Sequence, residues 1–246
     1  MGQRNIKLTI AYDGTAYHGF QRQANALAIQ QVLEEGLASL VGHPVILHGA
    51  ARTDTGVHAY GQVATFRTTG VIPVGRIALA SRGELPPDIV IVAAEEVDHD
   101  FHARISAKGK KYLYRLYSGP TANPFLRHYA WHVRDKLDVA AMNQAAQTIV
   151  GTHDFSAFRA AGSVKTQPVR TMYSAAVTTV GEAIEFSVTG NGFLYHMVRN
   201  FMGTLVEIGR GLRPVSDMAA VLAGKDRFHA GATAPPQGLY LQEVYY

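Results

Sequence analysis

Asp54 stands between Arg52 and His58 in the run Gly49 to Phe66, GAARTDTGVHAYGQVATF. Small residues open the run, and Thr53-Asp54-Thr55-Gly56 has the composition of a tight turn. A carboxylate on a turn beside a strand, two residues from a guanidinium, is a candidate reactive group. An opposite charge within a few ångströms favours its ionised form. That suits a nucleophile or a charge stabiliser better than a general acid. The same residues also fit an Asx-turn with a surface ion pair of little consequence. His43, His48, Asp54 and His58 leave a metal site, and with it a metal-dependent hydrolase, as an alternative. They match no standard ligand spacing such as His-Glu-x-x-His.

Two further stretches could touch a polyanion. The loop Ala16 to Ala26 holds Tyr17, His18, Phe20, Gln21, Arg22 and Gln23, the side chains that base stacking and base-edge contacts require. An ordinary polar loop with one anchoring ring fits equally. The run Lys108 to Tyr117, KGKKYLYRLY, has strand periodicity, with Lys110, Tyr112 and Tyr114 on one face and Lys111, Leu113, Arg115 and Tyr117 on the other. Interleaved cations and rings suit phosphates and bases. The competing reading is a sheet strand with packed tyrosines and lysines reaching past them to water.

The elements that must position these residues follow from periodicity. Ile6, Leu8, Ile10 and Tyr12 alternate with polar or small residues as a half-buried strand does. Ile29 to Val41 has helical spacing and stops at Gly42-His43-Pro44. Val45 to Leu47 and Gln62 to Phe66 are predicted strands, Pro73 to Ser81 a helix, and Ile89 to Val92 a buried strand. The order β-α-β-β-α-β is that of a split βαβ, or ferredoxin-like, unit. Charged residues around Phe101-His102-Ala103-Arg104 mark a boundary, giving halves 1–104 and 105–246. In the second half Met142 to Val150 is a predicted helix and Gly151 to Pro168 a loop that includes Lys165. Met172 to Val180 and Ala183 to Thr189 pair across Gly181-Glu182. Gly190-Asn191-Gly192 opens a helix over Phe193 to Ile208, which puts Tyr195 and Arg199 on one face. Ser216 caps a short helix to Leu222, and Leu239 to Val244 is a closing strand. The halves repeat coarsely. The expectation is an α+β fold of two ferredoxin-like halves packed into one body, with a positively charged active-site cleft between them.

The 246 residues, 47% hydrophobic and 17% charged, can bury a sizeable core. A net charge of +4 and a pI near 9.3 favour a polyanionic partner without naming it. With no cysteine, thiol catalysis and disulfides are excluded. No signal-like apolar core opens the chain and no apolar run approaches a membrane span, so a cytoplasmic protein is expected.

An ordered set of motifs then carries a resemblance. Tyr12-Asp13-Gly14-Thr15-x-Tyr17-x-Gly19-Phe20-Gln21-x-Gln23, Arg52-Thr53-Asp54-x-Gly56-Val57-His58-Ala59, Phe101-x-Ala103-Arg104 and Lys111-Tyr112-x-Tyr114 come first. Asp154-Phe155-x-x-Phe158, His196-Met197-Val198-Arg199-Asn200, Lys225-Asp226-Arg227 and Gly238-Leu239-Tyr240-Leu241 follow. Together they resemble the tRNA pseudouridine synthase A family, also called tRNA pseudouridine synthase I, along the whole chain. The resemblance implies isomerisation of uridine to pseudouridine at positions 38, 39 and 40 of the tRNA anticodon stem-loop. It implies a homodimer with no cofactor and no required metal. Asp54 matches the family's catalytic nucleophile, and Arg52 lies in the same motif. Tyr112 matches a tyrosine that packs on the target base, and Arg199 an arginine that pairs with the aspartate. Phe20, Gln21 and His58 join Tyr112 as expected substrate contacts. The chain departs from the family pattern at Ala51, where Gly is usual, and at Thr55, where Ala is frequent. It also lacks the Asn that commonly precedes Leu85-Pro86. A non-catalytic tRNA-binding protein is the alternative from another class: it would bind tRNA in a salt-sensitive way and form no pseudouridine.

Overall fold

The computed structural model describes residues 2–162 and 167–246. Lys165 lies outside them. Contacts divide the chain into two units, Met1–Lys108 with Tyr240–Tyr246, and Gly109–Leu239.

The first unit opens with β1, Arg4–Tyr12, whose alternation buries Ile6, Leu8, Ile10 and Tyr12. Helix α1, Ile29–Val41, ends at Gly42, which takes the left-handed conformation (φ 77°) that glycine adopts without steric cost. Val45 and Leu47 are buried, yet they form no strand. The Leu47 N–H donates to the Glu34 carboxylate at 3.0 Å and its carbonyl accepts from Gln30 Nε2 at 3.0 Å. Side chains of α1 therefore satisfy the backbone that the sequence had suggested for a ladder. The strand proper is two residues, β2, His48–Gly49, followed by the long β3, His58–Thr68. Helix α2, Val74–Ala80, starts after Pro73, and β4, Ile89–Val97, completes the set. Strand β4 buries Ile89 and Ile91 but leaves Val90 and Val92 exposed. It is a strand open on one face, not one buried on both. Strand β1 pairs antiparallel with both β3 and β4, and β2 pairs with β3.

The second unit begins with β5, Gly109–Ser118, and continues through β6, Trp131–Val133, helix α3, Val139–Gln147, and β7, Gly151–Asp154. Strands β8, Val169–Val180, and β9, Ala183–Gly190, form the expected hairpin, turning at Gly181 (φ 60°). Strand β9 also pairs antiparallel with β5, β7 with β8, and β6 runs parallel to β5. Helix α4 spans Met197–Gly209 and α5 spans Asp217–Gly224. Phe201 of α4 sits among Phe155, Phe158 and Phe186, edge to face at 5.6, 4.7 and 6.4 Å, and anchors this core.

Three expectations fail here. Helix α4 begins at Met197 and not at Phe193, because His196 before it is left-handed (φ 58°) and cannot continue a helix upstream. Tyr195 therefore lies off the helix and shares no helical face with Arg199. Ser216 occupies the cap position of α5 but its side chain makes no capping bond. On β5, Tyr114 is fully buried with its hydroxyl donating to Pro235 O at 2.7 Å, and Tyr117 is covered by the stacked ring of His132. Arg115 pairs with Glu185 on β9 at 2.7 Å. Much of this strand is core, not a stacking surface.

The chain ends in β10, Leu239–Tyr245. It runs parallel to β3, with Tyr240 opposite His58 and Leu241 opposite Ala59, so the first unit's sheet is mixed. Among the described residues no helix is long and apolar enough to cross a membrane.

Candidate active site

Asp54, Arg52, Phe20, Gln21 and His58 belong to the first unit; Tyr112 and Arg199 belong to the second. Asp54 is half-buried on the loop between β2 and β3, with Arg52 and Thr55 exposed on either side. The turn closes through Val57 N to Asp54 O at 3.1 Å, with Gly56 left-handed (φ 75°).

Buried polar side chains hold this loop by its backbone. Gln62, wholly buried on β3, accepts from Ala51 N at 3.2 Å and donates to Ala51 O at 2.8 Å. Ala51 is itself buried. The Tyr12 hydroxyl meets Thr53 Oγ1 at 2.7 Å, and burial pushes the Tyr12 phenol up, so it stays neutral. Phe20 N donates to Thr53 O and Gly56 N to Tyr17 O. Gly14 lies so near the Val57 carbonyl that a Cβ would fall 2.0 Å from its oxygen. The loops 12–20 and 50–58 are thus fastened to one another.

His58 belongs to the same fastening. Its Nδ1 lies 3.1 Å from Gly14 N and 3.1 Å from Asp13 Oδ1. An amide N–H can only donate, so Nδ1 accepts and the imidazole carries its proton on Nε2. Asp13 Oδ1 is occupied by Thr15, whose N–H and hydroxyl donate to it at 2.9 and 2.5 Å. The His58 ring stacks on Tyr240 at 4.8 Å, and Tyr240 stacks on Tyr60 at 5.1 Å. His58 is only 1% exposed and Phe20 only 2%. Neither offers a face to a base, and both support the loop from beneath. Phe20 fills the space beside Gly49, where a Cβ would meet its ring at 2.3 Å. Gln21 is exposed and donates through Nε2 to Gln30 Oε1 at 2.9 Å.

The metal alternative loses its geometry here. His43 Nε2 is bonded to Thr68 Oγ1 at 2.8 Å, His48 lies tilted against His102 at 5.1 Å, and His58 is turned to Gly14. Among the described residues no group of three or more His, Asp or Glu is gathered to hold an ion.

In the second unit Tyr112 lies on β5 opposite Val188, its ring edge-on to Phe193 at 4.9 Å. Arg199, in the first turn of α4, donates through Nε to Ala234 O at 2.7 Å and accepts from Ala234 N at its own carbonyl. Its charge opposes the rise that burial imposes on the Tyr114 phenol. Beside it Asn200, wholly buried, donates to Phe158 O at 2.7 Å and accepts from Arg227 Nη2 at 3.1 Å.

Gln62, Tyr12, Asn200 and Arg227 hold the backbone or side chains around the candidate residues, and the spacing of reactive residues does not reveal them. Two had a legible signal. Gln62 falls on the parity of β3 that buries Ala64 and Phe66, and Asn200 falls in the stripe Met197, Phe201, Leu205 and Ile208. A polar residue at a buried position needs partners, and loop backbone is the nearest source.

Fold and site together define an α+β protein whose Asp54 carboxylate sits half-buried on a loop held by its backbone. The family model described as tRNA pseudouridine synthase matches residues 8–105 and 145–246. Three relatives described as tRNA pseudouridine synthase A come from Acetivibrio thermocellus, Ruminiclostridium cellulolyticum and Myxococcus xanthus. They are 48%, 49% and 50% identical to this chain over 99%, 99% and 98% of its length, and over 100%, 100% and 91% of theirs. The chain belongs to the tRNA pseudouridine synthase family and is an enzyme of the isomerase class.

Proposed function

We propose that this chain isomerises uridine to pseudouridine at positions 38, 39 and 40 of the tRNA anticodon stem-loop, with Asp54 as nucleophile. The observation that carries the reading is the fixed Asp54 loop. Its neutral clamps hold backbone and leave the carboxylate charge to act on substrate.

The reaction breaks the bond from ribose C1′ to N1 of uracil, turns the base, and forms a bond from C1′ to C5. The C5 hydrogen leaves as a proton and N1 gains one, so the product is an isomer. Asp54 acts by attack on C6, by attack on C1′, or by removing a ribose proton to form a glycal, and each route starts from the carboxylate. The target base leaves its stack before a side chain reaches it, and the Tyr112 ring, held by the edge of Phe193, stacks against it. Tyr112 or water takes the C5 proton. Gln21 contacts the RNA from the exposed loop. Phe20 and His58 are supports in this scheme, not base contacts.

The wider proposal is a homodimer of two ferredoxin-like halves around a positively charged cleft, cytoplasmic and without a cofactor. The order β1 α1 β2 β3 α2 β4 supports a ferredoxin-like first half, and the basic net charge supports a polyanionic partner.

The test uses unmodified tRNA tritiated at C5 of uridine, with no added metal. Wild type releases tritium to water, and Asp54→Ala releases none. Release by the variant removes Asp54 from the nucleophile role. Binding of tRNA by wild type without any release replaces the enzyme reading with a binding one.

A further inference from the structure

The motif Lys225-Asp226-Arg227 has no part in the chemistry above, yet Arg227 is tied into the second unit by four hydrogen bonds. We infer that Arg227 is a positioning residue for Arg199. It fastens the segment 230–234 onto the first turn of α4 and so sets the carbonyl that holds the Arg199 guanidinium. The inference rests on the reading of Arg199 as a group acting with Asp54.

The guanidinium spans both partners. Nη1 donates to the carbonyls of Ala230 and Gly231 at 3.2 and 3.0 Å, and Nη2 to Asn200 Oδ1 and Thr233 Oγ1, both at 3.1 Å. The Thr233 hydroxyl donates to Asn200 Oδ1 at 2.7 Å. Asn200 is fixed from its other end by Phe158 O. The segment lies directly on the helix: a Cβ at Gly203 would fall 1.7 Å from Ala232 O, and Gly231 N donates to Thr204 Oγ1 at 2.9 Å. The residue after Thr233 is Ala234, whose carbonyl takes Arg199 Nε, and the next carbonyl, at Pro235, takes the Tyr114 hydroxyl.

An arginine tied at Nε keeps its planar fork in one orientation, so its Nη edge is aimed. Moving Ala234 by a fraction of an ångström re-aims it. Lysine at position 227 would keep the charge but cannot reproduce a planar set of four bonds to two elements.

The test measures single-turnover pseudouridine formation and tRNA affinity in wild type, Arg199→Ala, Arg227→Lys and the double variant. Arg227→Lys is expected to slow the chemical step about tenfold, with tRNA affinity changed less than about twofold. In the Arg199→Ala background it is expected to add less than about a further twofold, because coupled residues are not additive. An equal loss in both backgrounds overturns the inference, as does a loss of affinity without a slower step. So does a lower melting temperature with an unchanged rate. Should Arg227→Lys not fold, Thr233→Val is run through the same cycle, with a loss of about threefold expected and the same coupling. An unchanged rate for Arg199→Ala is a separate outcome. It removes the role proposed for Arg199 and leaves Arg227 nothing to position.

Discussion

Each unit contains a polar clamp, and the two are built from different materials. Around Asp54 the holding groups are neutral: the Gln62 amide, the Tyr12 phenol and the His58 imidazole, all buried, all directed at loop backbone or at Thr53. Around Arg199 the holding group is a cation, Arg227, acting through carbonyls and the neutral Asn200 and Thr233. In each case the clamp leaves the charge it presents intact. A buried cation beside Asp54 would compete for its carboxylate, so that loop is held by dipoles. Ala234 O takes a hydrogen from Arg199 without neutralising it, so a second guanidinium can stand nearby provided it faces carbonyls.

The largest break in this comparison is loss of one charge with its clamp left whole. Asp54→Asn keeps the shape of the loop and is expected to lower turnover about a thousandfold or more while tRNA affinity stays within a few-fold. Turnover and filter binding on the same preparation check it. A melting temperature close to wild type would show that the clamp does not depend on the charge it presents.

Next in size is a steric break of the clamps themselves. Gly14→Ala would put a methyl 2.0 Å from Val57 O, and Gly203→Ala one 1.7 Å from Ala232 O. Neither obstacle is a flexible side-chain end, so backbone must move. Each variant is expected to lose about 1–3 kcal/mol of stability, read by denaturant melts. Gly14→Ala moves the Asp54 side and Gly203→Ala the Arg199 side, so both should also slow the chemical step. A Gly14→Ala variant with wild-type rate would show that the loop tolerates displacement.

The neutral clamp can be sharpened one bond at a time. Tyr12→Phe removes the hydroxyl that meets Thr53 and leaves the ring packed near Phe20. The expected cost is about 1 kcal/mol, because Thr53 Oγ1 is left buried without that partner. The rate should fall by less than for either glycine variant.

How much of this was legible depends on the range of the interaction. The alternation of β1, the helix ending at Gly42 and the hairpin at Gly181 are local patterns, and all three stand in the structure. The strand expected at Val45 to Leu47 failed because the side chains of Gln30 and Glu34 take the place of a neighbouring strand. The start of α4 failed because the left-handed turn falls on His196, whereas the glycines that suggest a turn are at 190 and 192. The return of the last strand to pair with β3 has no local signal: parallel pairing of distant segments is set by the sheet, not by either strand. At the candidate site, motifs singled out Asp54 and Arg199. Phe20 and His58 were expected as substrate contacts and stand buried, since an aromatic on a loop has the same composition whether it faces a base or a core.

The smallest expected effect is a pH dependence at the outer end of the cationic clamp. Asp154 Oδ1 accepts from Ser156 N at 2.9 Å and Ser156 Oγ at 2.6 Å, while Oδ2 lies 3.3 Å from Lys225 Nζ. The Ser156 hydroxyl chiefly, with its amide and Lys225, holds this carboxyl below the usual carboxylate range against the opposing effect of burial. A depressed carboxyl contributes stability above its unfolded pKa of about 3.9 and loses it as pH falls through the folded value. Asp154→Asn should therefore cost under about 1 kcal/mol at pH 7, given the partial exposure of both partners, and nothing once wild type is itself protonated at low pH. Melts at pH 7 and in that acid range check the difference. A cost that persists undiminished in acid would mean that Asp154 acts by packing the Ser156 turn, and that its charge contributes nothing to tying Lys225 ahead of Arg227.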